Sequence, residues 1–278
     1  RKSDRGHAVF TTVAGRKTYA YTANKPLDSS LPAIVFVHGA ANDHSVWSLQ
    51  SRYFAYHGWS ALAVDLPGHG RSEGAALDSI TALAQWLVAF LDAVNVTQCY
   101  IVGHSMGSLV GLETAARHPS RVNGLALVGT AVPMQVSDVL LKTSAANDHL
   151  AYELINTFAH SPRAQLGGNR VPGAWMLGNN MRLMERSANG TLYADFSACN
   201  DYKDGLDAAK KVQCPVLMIL GQRDLMTPPR AASQAAGSFS EVRTVILEGA
   251  GHSLMSEQPD AVLDALIGFV DTTRTTPA

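Results

Sequence analysis

Ser105 is the residue of this sequence best placed to act as a nucleophile. It stands in the segment GHSMG, residues 103–107, between the apolar stretches QCYIV and SLVGLETAA. A serine hydroxyl is a weak nucleophile at neutral pH and needs an adjacent base that is itself oriented by a third group. A plain turn serine is the alternative interpretation. A strand predicted at 99–102 and a helix predicted at 106–117 favour the nucleophile, because a sharp strand-to-helix turn exposes the hydroxyl.

His252 and Asp224 are the matching base and acid. His252 lies in GAGHSLMSEQP after a strand predicted at 242–247, and Asp224 lies in LGQRDLMTPP after a strand predicted at 215–221. In open α/β sheets, ligands bind at the carboxyl ends of parallel strands, where both residues leave the sheet. Asp138, which follows another predicted strand, is the alternative acid. The chain order of serine, acid and histidine predicts a triad for nucleophilic catalysis.

Apolar strand runs alternate with helical patterns along most of the chain. The strands are predicted at 7–13, 17–23, 33–37, 59–65, 99–102, 122–129, 215–221 and 242–247. The helices are predicted around 45–56, behind a capping Ser79, at 106–117, near 229–236 and from Pro259 onwards. Repeated alternation of strand and helix produces a mostly parallel sheet with helices on both faces. The sequence therefore predicts an α/β fold.

The stretch 131–210 has a different pattern. It lacks buried strand runs and contains several helix-like pieces separated by loops. We expect a mainly helical insertion between two strands of the sheet, with 1–130 and 211–278 forming the core domain. Thioethers adapt to irregular apolar surfaces. The methionines of this stretch either fill the core of the insertion, which is the favoured interpretation, or in part line an apolar pocket; they are Met134, Met176, Met181 and Met184.

Five motifs of the chain are those of one known family. In chain order they are VHGAAND (37–43), DLPGHGRS (65–72), GHSMG (103–107), GQRDLMTPP (221–229) and GAGHSLMSEQP (249–259). On these motifs the sequence resembles the α/β-hydrolase superfamily, in its capped branch with a serine nucleophile. The resemblance covers nearly the whole chain outside 131–210. It implies that this insertion is a helical cap placed after the sixth strand.

The resemblance implies a role for each motif residue. Ser105 would be the nucleophile, His252 the general base and then the general acid, and Asp224 the group that fixes the imidazole tautomer. The backbone N–H groups of Ala40 and Met106 would form the oxyanion hole. Met106 also begins the predicted helix, whose N-terminus favours negative charge.

One part of the motif set departs from the family pattern. The loop HGAAND contains only Gly39, whereas some esterases of the family have three glycines there. Ala41 is therefore an alternative to Ala40 as the oxyanion donor, since the register of the loop can shift by one residue.

The resemblance implies a cofactor-independent serine hydrolase that cleaves carboxylic esters through an acyl-enzyme. The apolar insertion favours a small to medium apolar acyl group, with Trp47, Trp175, Met176 and Met181 as expected pocket residues. A carbon–carbon bond hydrolase of aromatic ring-cleavage products is the alternative, although such enzymes usually have Trp after the triad histidine, where this chain has Ser253. Lactonases and peracid-forming enzymes are further relatives. A non-catalytic ligand-binding receptor with the same fold is the alternative from a different class.

The composition limits the partners of the protein. Of its 278 residues, 46% are hydrophobic and 16% are charged, and the net charge is −1. Such a chain buries a large core and lacks the field that attracts nucleic acid or anionic membranes. We expect a small-molecule substrate, no membrane insertion, no metal and no cofactor. The three cysteines lack metal-ligand spacing and the first ten residues lack an apolar signal segment, which favours a cytoplasmic location.

The remaining polar residues of the motifs have structural interpretations. These are His38, Asp65, His69 and His104. Arg182 and Arg186 lie four residues apart on a predicted helix. In one interpretation they clamp a substrate carboxylate. In the other, which we favour, they belong to a solvated surface.

Overall fold

The computed structural model describes residues 8–168 and 173–274. Eight strands form one sheet: β1 Ala8–Val13, β2 Arg16–Tyr21, β3 Ala33–Val37, β4 Ser60–Val64, β5 Cys99–His104, β6 Val122–Val128, β7 Val216–Gly221 and β8 Val242–Leu247. Their order across the sheet is β1-β2-β4-β3-β5-β6-β7-β8. Strands β3 to β8 pair in parallel, whereas β2 is antiparallel to both of its neighbours. The predicted α/β fold with a mostly parallel sheet is therefore confirmed.

Twelve α-helices are described. They are α1 Ser48–Tyr56, α2 Ile80–Ala93, α3 Met106–Arg117, α4 Asp138–Ala145, α5 Leu150–Ala159, α6 Pro162–Gln165, α7 Met176–Met184, α8 Thr191–Asp201, α9 Gly205–Lys211, α10 Pro229–Ala236, α11 Leu254–Glu257 and α12 Pro259–Arg274. The side chain of Ser79 accepts a hydrogen bond from the backbone N–H of Ala82. Ser79 therefore caps α2, as predicted.

Both faces of the sheet are covered by helices. Along β3, Ile34 and Phe36 belong to one buried cluster, and Val35 and Val37 belong to the other. Residues from α2 and α3 pack on the Val35 side, and residues from α1 and α12 pack on the Phe36 side. Because side chains alternate along a strand, a strand that is apolar throughout can fill both layers. This accounts for the uninterrupted AIVFV run.

Six of the described helices, α4 to α9, lie between β6 and β7 in the chain; we call α4 to α8 the cap. Its small core consists of Leu140, Ala151, Met184, Leu192 and Phe196, together with Ala41 of the loop after β3. The apolar residues of the cap thus pack partly on each other and partly on the sheet edge. The division into a core domain and a cap at 131–210 stays a prediction.

Most strands differ from their predicted bounds by one or two residues, and two differences have a clear physical reason. The helix expected at 45–56 is interrupted, since His44–Trp47 forms a 3₁₀ turn, capped by Asp43, before α1 begins. Strand β2 ends at Tyr21 because Ala23 and Asn24 have positive φ values of 56° and 64°, which no strand can accommodate. Residue 7, expected in the first strand, lies outside the described residues. No helix among the described residues is long and apolar enough to cross a membrane.

Candidate active site

Ser105 lies on a strained turn between β5 and α3. Its φ of 52° and ψ of −120° are unusual for a residue other than glycine, and such conformations cluster at functional sites. A Cβ at Gly103 would collide with the carbonyl group of Gly107, and a Cβ at Gly107 would collide with the carbonyl group of Val37. Close backbone approach therefore requires both glycines of the GHSMG motif.

The sheet topology brings the loops after β3 and β5 together. These strands are neighbours, and the chain proceeds from β3 to β4 on one side and into β5 on the other. Ligands of open α/β sheets bind at such a reversal of strand order. Ser105 and Ala40, which follow these two strands, line one cavity of about 410 Å³.

The rest of this cavity is lined by the cap, by the segment that leads into it and by the loop after β7. Its apolar lining residues are Met134, Val136, Leu140, Phe158, Phe196, Leu225 and Met226. Its further polar lining residues are Gln135, Ser137, Cys199 and Thr227. A ligand that reaches Ser105 therefore lies against a mainly apolar surface.

Asp224 and His252 are joined by a short hydrogen bond. Nδ1 of His252 lies 2.8 Å from Oδ2 of Asp224, and both residues are buried. The carboxylate also accepts from the backbone N–H groups of Met226 and Thr227 and from the Thr227 hydroxyl, at 2.7–2.8 Å. Since a carboxylate only accepts hydrogen bonds, Nδ1 carries the proton. Nε2 of the neutral imidazole is then free to act as a base.

The surroundings keep Asp224 ionised. Burial acts to raise the pKa of this carboxyl, but the charge and hydrogen bond of His252, with the hydrogen bonds from Thr227, outweigh burial and lower the pKa to about 2. Asp138, the alternative acid, is exposed in the first turn of α4. Of the two candidates, Asp224 is the one bonded to His252.

The backbone of His252 is held by both the core and the cap. Its carbonyl oxygen lies 2.9 Å from Nε2 of His104, and its N–H donates to the carbonyl of Ala159, at the end of α5, over 2.9 Å. Burial and the nearby His252 lower the pKa of His104 to about 3, so His104 is neutral and donates from Nε2. The residue next to Ser105 thus contacts the histidine loop, which fits its predicted structural role.

Glu257 strengthens the same connection between the cap and the histidine loop. Its Oε1 accepts from the backbone N–H of Gly251 at 3.1 Å and from that of Ser161, the N-cap of α6, at 3.2 Å. One buried carboxylate therefore joins the residue before His252 to the cap.

The two loop alanines offered as oxyanion donors have different surroundings. Ala40 lines the cavity with Ser105, whereas the backbone N–H of Ala41 donates to Oδ2 of Asp195 on α8 over 2.8 Å. The Ala41 donor is occupied, which favours Ala40. Met106, the other expected donor, is the first residue of α3 directly after Ser105. His38 donates from Nδ1 to the Gly39 carbonyl at 2.8 Å, so it holds this loop as predicted.

The four expected pocket residues lie elsewhere. Trp47 is fully buried in the core against Phe36, and Trp175 is 74% exposed. Met176 lines a separate cavity of about 450 Å³, and Met181 is half-buried against the cap core. Trp47 packs on the sheet, and the burial of the other three residues depends on how the cap is seated. Composition reveals neither arrangement.

Arg182 and Arg186 pair with acidic neighbours. Arg182 bonds to Glu185 at 2.8 Å, and Arg186 bonds to Asp43 at 2.9 Å, and both guanidinium side chains are largely exposed. They line the second cavity and not the one at Ser105. The solvated surface is therefore the better description of this pair.

One group of potential metal ligands occurs among the described residues: Asp43, His44 and Asp65. The carboxylate oxygens and Nδ1 of His44 already have partners. Oδ1 of Asp65 accepts from His44, and Oδ2 accepts from the backbone N–H of Arg71. Both oxygens of Asp43 accept from Ser45 and Arg186. These contacts hold neighbouring loops together, which is a sufficient reason for the three residues to lie close to each other. A structural role of this kind is the one expected for Asp65.

Several residues of the site were not predicted from the sequence, and three of them show which signals were available. Thr227 follows Asp224 by three positions, a spacing typical of a turn in which the side chain of an aspartate accepts backbone N–H bonds. Asp195 stands on the apolar stripe of α8 beside Leu192 and Phe196, and a lone acid on a buried stripe signals a buried partner. No local signal marks Phe158 as a cavity residue.

Known proteins resemble this chain in sequence and in structure. Residues 32–259 match the family described as alpha/beta hydrolase fold. A pimeloyl-[acyl-carrier protein] methyl ester esterase of Neisseria meningitidis is 29% identical over 263 residues, which cover 89% of this chain and 96% of the esterase. An (E)-2-((N-methylformamido)methylene)succinate hydrolase of Acinetobacter baylyi is 25% identical over 256 residues, which cover 86% of this chain and 90% of that enzyme.

Among solved structures, the enol-lactonase of Burkholderia xenovorans aligns with a TM-score of 0.82 and 22% identity, covering 95% of this chain and 100% of that one. The family match spans most of the chain, and the shared fold extends over nearly all of it. The protein therefore belongs to the alpha/beta hydrolase fold family.

Proposed function

We propose that this protein hydrolyses carboxylic esters through an acyl-enzyme formed on Ser105. The observation that carries the proposal is the hydrogen bond of 2.8 Å between Asp224 and His252, at the same sheet edge as the strained turn that carries Ser105. A buried carboxylate that orients an imidazole supplies the base that a serine nucleophile needs.

The reaction follows from these groups. Nε2 of His252 takes the hydroxyl proton as Oγ of Ser105 bonds to the carbonyl carbon. The carbonyl oxygen becomes an oxyanion, to which the N–H groups of Ala40 and Met106 donate. His252 returns its proton to the alkoxy oxygen as the C–O bond breaks, and the alcohol leaves.

The acyl-enzyme is then hydrolysed by the same groups. A water molecule gives a proton to His252 as its oxygen bonds to the acyl carbon. The second tetrahedral intermediate collapses, the proton passes to Oγ of Ser105, and the carboxylic acid is released. Asp224 keeps its charge throughout and stabilises the imidazolium in both halves of the reaction.

The cavity indicates the substrate class. A volume of about 410 Å³ lies in the range of small-molecule sites, which is about 300–1,000 Å³. Its apolar lining favours a small to medium apolar acyl group. The methyl ester esterase relative supports ester chemistry in preference to carbon–carbon bond cleavage.

The test is hydrolysis of p-nitrophenyl esters from acetate to decanoate. We expect turnover by the wild type and a loss of several orders of magnitude in Ser105→Ala. Ser233→Ala, which removes an exposed hydroxyl on α10, serves as the matched control and should keep full activity. If neither the wild type nor Ser233→Ala hydrolyses any ester, the ester proposal is wrong, and carbon–carbon cleavage or a receptor role takes its place.

A further inference from the structure

A buried carboxylate of the cap contacts the loop that carries the expected oxyanion donor. Asp195 of α8 is fully buried, and its Oδ2 accepts from the backbone N–H of Ala41 over 2.8 Å. The two residues are 154 positions apart in the chain. Because the peptide group is planar, this bond fixes the peptide between Ala40 and Ala41, which directly follows the peptide that carries the N–H of Ala40.

The backbone at Ala41 needs such a contact. Its φ is 51°, which is uncommon for alanine. A residue in this conformation persists only when its surroundings hold it there. The hydrogen bond to Asp195 is one such restraint, and the cap core, which includes Ala41, is another.

The second partner of Asp195 is a charged histidine, which bonds to the same carboxylate oxygen as Ala41. Nε2 of His69 lies 2.9 Å from Oδ2 of Asp195, and Nδ1 lies 2.9 Å from the carbonyl oxygen of Pro67. A carboxylate and a carbonyl group only accept hydrogen bonds, so both ring nitrogens of His69 donate. Burial acts to lower the pKa of His69, but the charge and hydrogen bond of Asp195 outweigh it, and the net pKa is raised.

The neighbouring His38 remains neutral. Its Nδ1 donates to the Gly39 carbonyl at 2.8 Å, and its Nε2 accepts from the backbone N–H of Leu66 at 3.1 Å. The His38 and His69 rings lie 4.9 Å apart. Burial and the charge of His69 lower the pKa of His38 to about 4. The positive charge of this pair therefore resides on His69, next to Asp195.

We propose that Asp195 is a positioning residue for the oxyanion hole. Paired with His69, its carboxylate holds the 40–41 peptide on one side of Ala40, while His38 holds the Gly39 carbonyl of the 39–40 peptide on the other. Together these bonds fix the backbone of Ala40 so that its N–H, which belongs to the 39–40 peptide, faces the reacting carbonyl. This inference rests on the proposed function of Ser105. Oδ1 of Asp195 has no hydrogen-bond partner among the described residues, so the buried carboxylate depends on Ala41 and His69.

The expected effect is on chemistry and not on substrate binding. Loss of a direct oxyanion donor lowers turnover about 100–1,000-fold, and loss of a group that only positions the donor should have a smaller effect. For Asp195→Ala we expect kcat to fall about 10–100-fold, with KM changed less than about threefold, since the ground-state ester does not need the donor.

The experiment measures two rates per active site. Sites are counted by complete labelling of Ser105 with a fluorophosphonate, and kcat for p-nitrophenyl butyrate is divided by that count. The second rate is that of the labelling itself, which also develops negative charge on oxygen but does not require that esters be substrates. Asp195→Asn is the conservative variant, and Asp201→Asn, at the exposed end of the same helix, is the control.

We expect both rates to fall in Asp195→Ala, to fall less in Asp195→Asn, and to stay unchanged in Asp201→Asn. A variant that merely folds less well has fewer titratable sites but a normal rate at each one. Wild-type rates per site in Asp195→Ala, or in Asp195→Asn if the alanine variant does not fold, overturn the inference. If the wild type is labelled but hydrolyses no ester, the ester proposal fails and the labelling rates still decide the role of Asp195. If Ser105 is not labelled in the wild type, both proposals are wrong.

Discussion

The imidazole of His252 donates from Nδ1 to Oδ2 of Asp224 over 2.8 Å, across the loops that follow β8 and β7. The two strands are parallel neighbours, so their carboxyl ends lie side by side. The hydrogen bond fixes which ring nitrogen carries the proton. Nε2 is thereby left as the base, and the pH dependence and the mutational effects follow from this arrangement.

The protonation of Asp224 should make no contribution to the pH dependence of activity. With a pKa lowered to about 2, Asp224 is ionised at every pH at which the enzyme is tested. Only the imidazole of His252 must lose a proton before it can act as a base. A plot of log kcat/KM against pH should therefore rise with a slope of one. A slope of two on the acid side would contradict the assignment.

Replacement of Asp224 and of Asp138 should show which of these two candidate acids supports catalysis. In Asp224→Asn, the amide presents its NH₂ group to His252 and favours the wrong imidazole tautomer, so we expect kcat to fall about 10⁴-fold. Asp138→Asn makes the same chemical change at the exposed alternative position and should leave kcat unchanged. The measurement is steady-state hydrolysis of p-nitrophenyl acetate by both variants. Equal losses in the two would show that Asp224 has no special role.

The turn at Ser105 should tolerate no methyl group at Gly107. A Cβ there collides with backbone carbonyl groups of Val37 and His38, which have no rotamer to change. We expect Gly107→Ala to lower the free energy of unfolding by about 1–3 kcal/mol and to lower activity. In Gly237→Ala the Cβ meets no atom closer than 3.7 Å, so this control should be neutral. Thermal unfolding of the two variants measures the difference.

Widening the cavity should change the acyl-chain preference. Phe158 lines the cavity and is 39% exposed, so Phe158→Ala removes bulk from the lining with only moderate loss of buried area. We expect kcat/KM to shift toward longer p-nitrophenyl esters. Trp175→Ala, at a largely exposed position outside the cavity lining, should leave the preference unchanged. If the acyl-chain preference shifts in Trp175→Ala and not in Phe158→Ala, then Trp175 contacts the acyl chain, as composition predicts, and Phe158 does not.

The ion pair of His69 and Asp195 should stabilise the fold less as pH rises. The pKa of His69 is raised in the folded protein, so its contribution is fully present below the ordinary histidine pKa of about 6.5. The contribution is lost as pH rises through the raised value. The groups facing this ring are His38, Asp65 and Asp195. Urea unfolding of the wild type and His69→Gln should differ most near pH 6 and least in alkaline solution; a constant difference would contradict the charged state of His69.

Much of the fold follows from local sequence features. The run AIVFV is apolar on both faces, which only a strand buried on both sides allows, and β3 occupies its predicted bounds. Differences arise where a few residues adopt positive φ, as at the end of β2. The hydrophobic pattern and the strand propensity of a segment do not reveal a single residue with a left-handed backbone conformation. The α/β class is robust because it depends on many strands and helices together.

The sequence by itself determined the order of chemical groups at the strand ends: Ser105 after β5, Asp224 after β7 and His252 after β8. Parallel strands place their carboxyl ends at one edge, so the motifs and topology alone predict that these residues approach each other. Only the tertiary structure decided what surrounds them. Packing on one face of the sheet buries Trp47 in the core, whereas the seating of the cap exposes Trp175 and brings Asp195 to Ala41, 154 positions away. Contacts between distant segments depend on packing that no local pattern encodes.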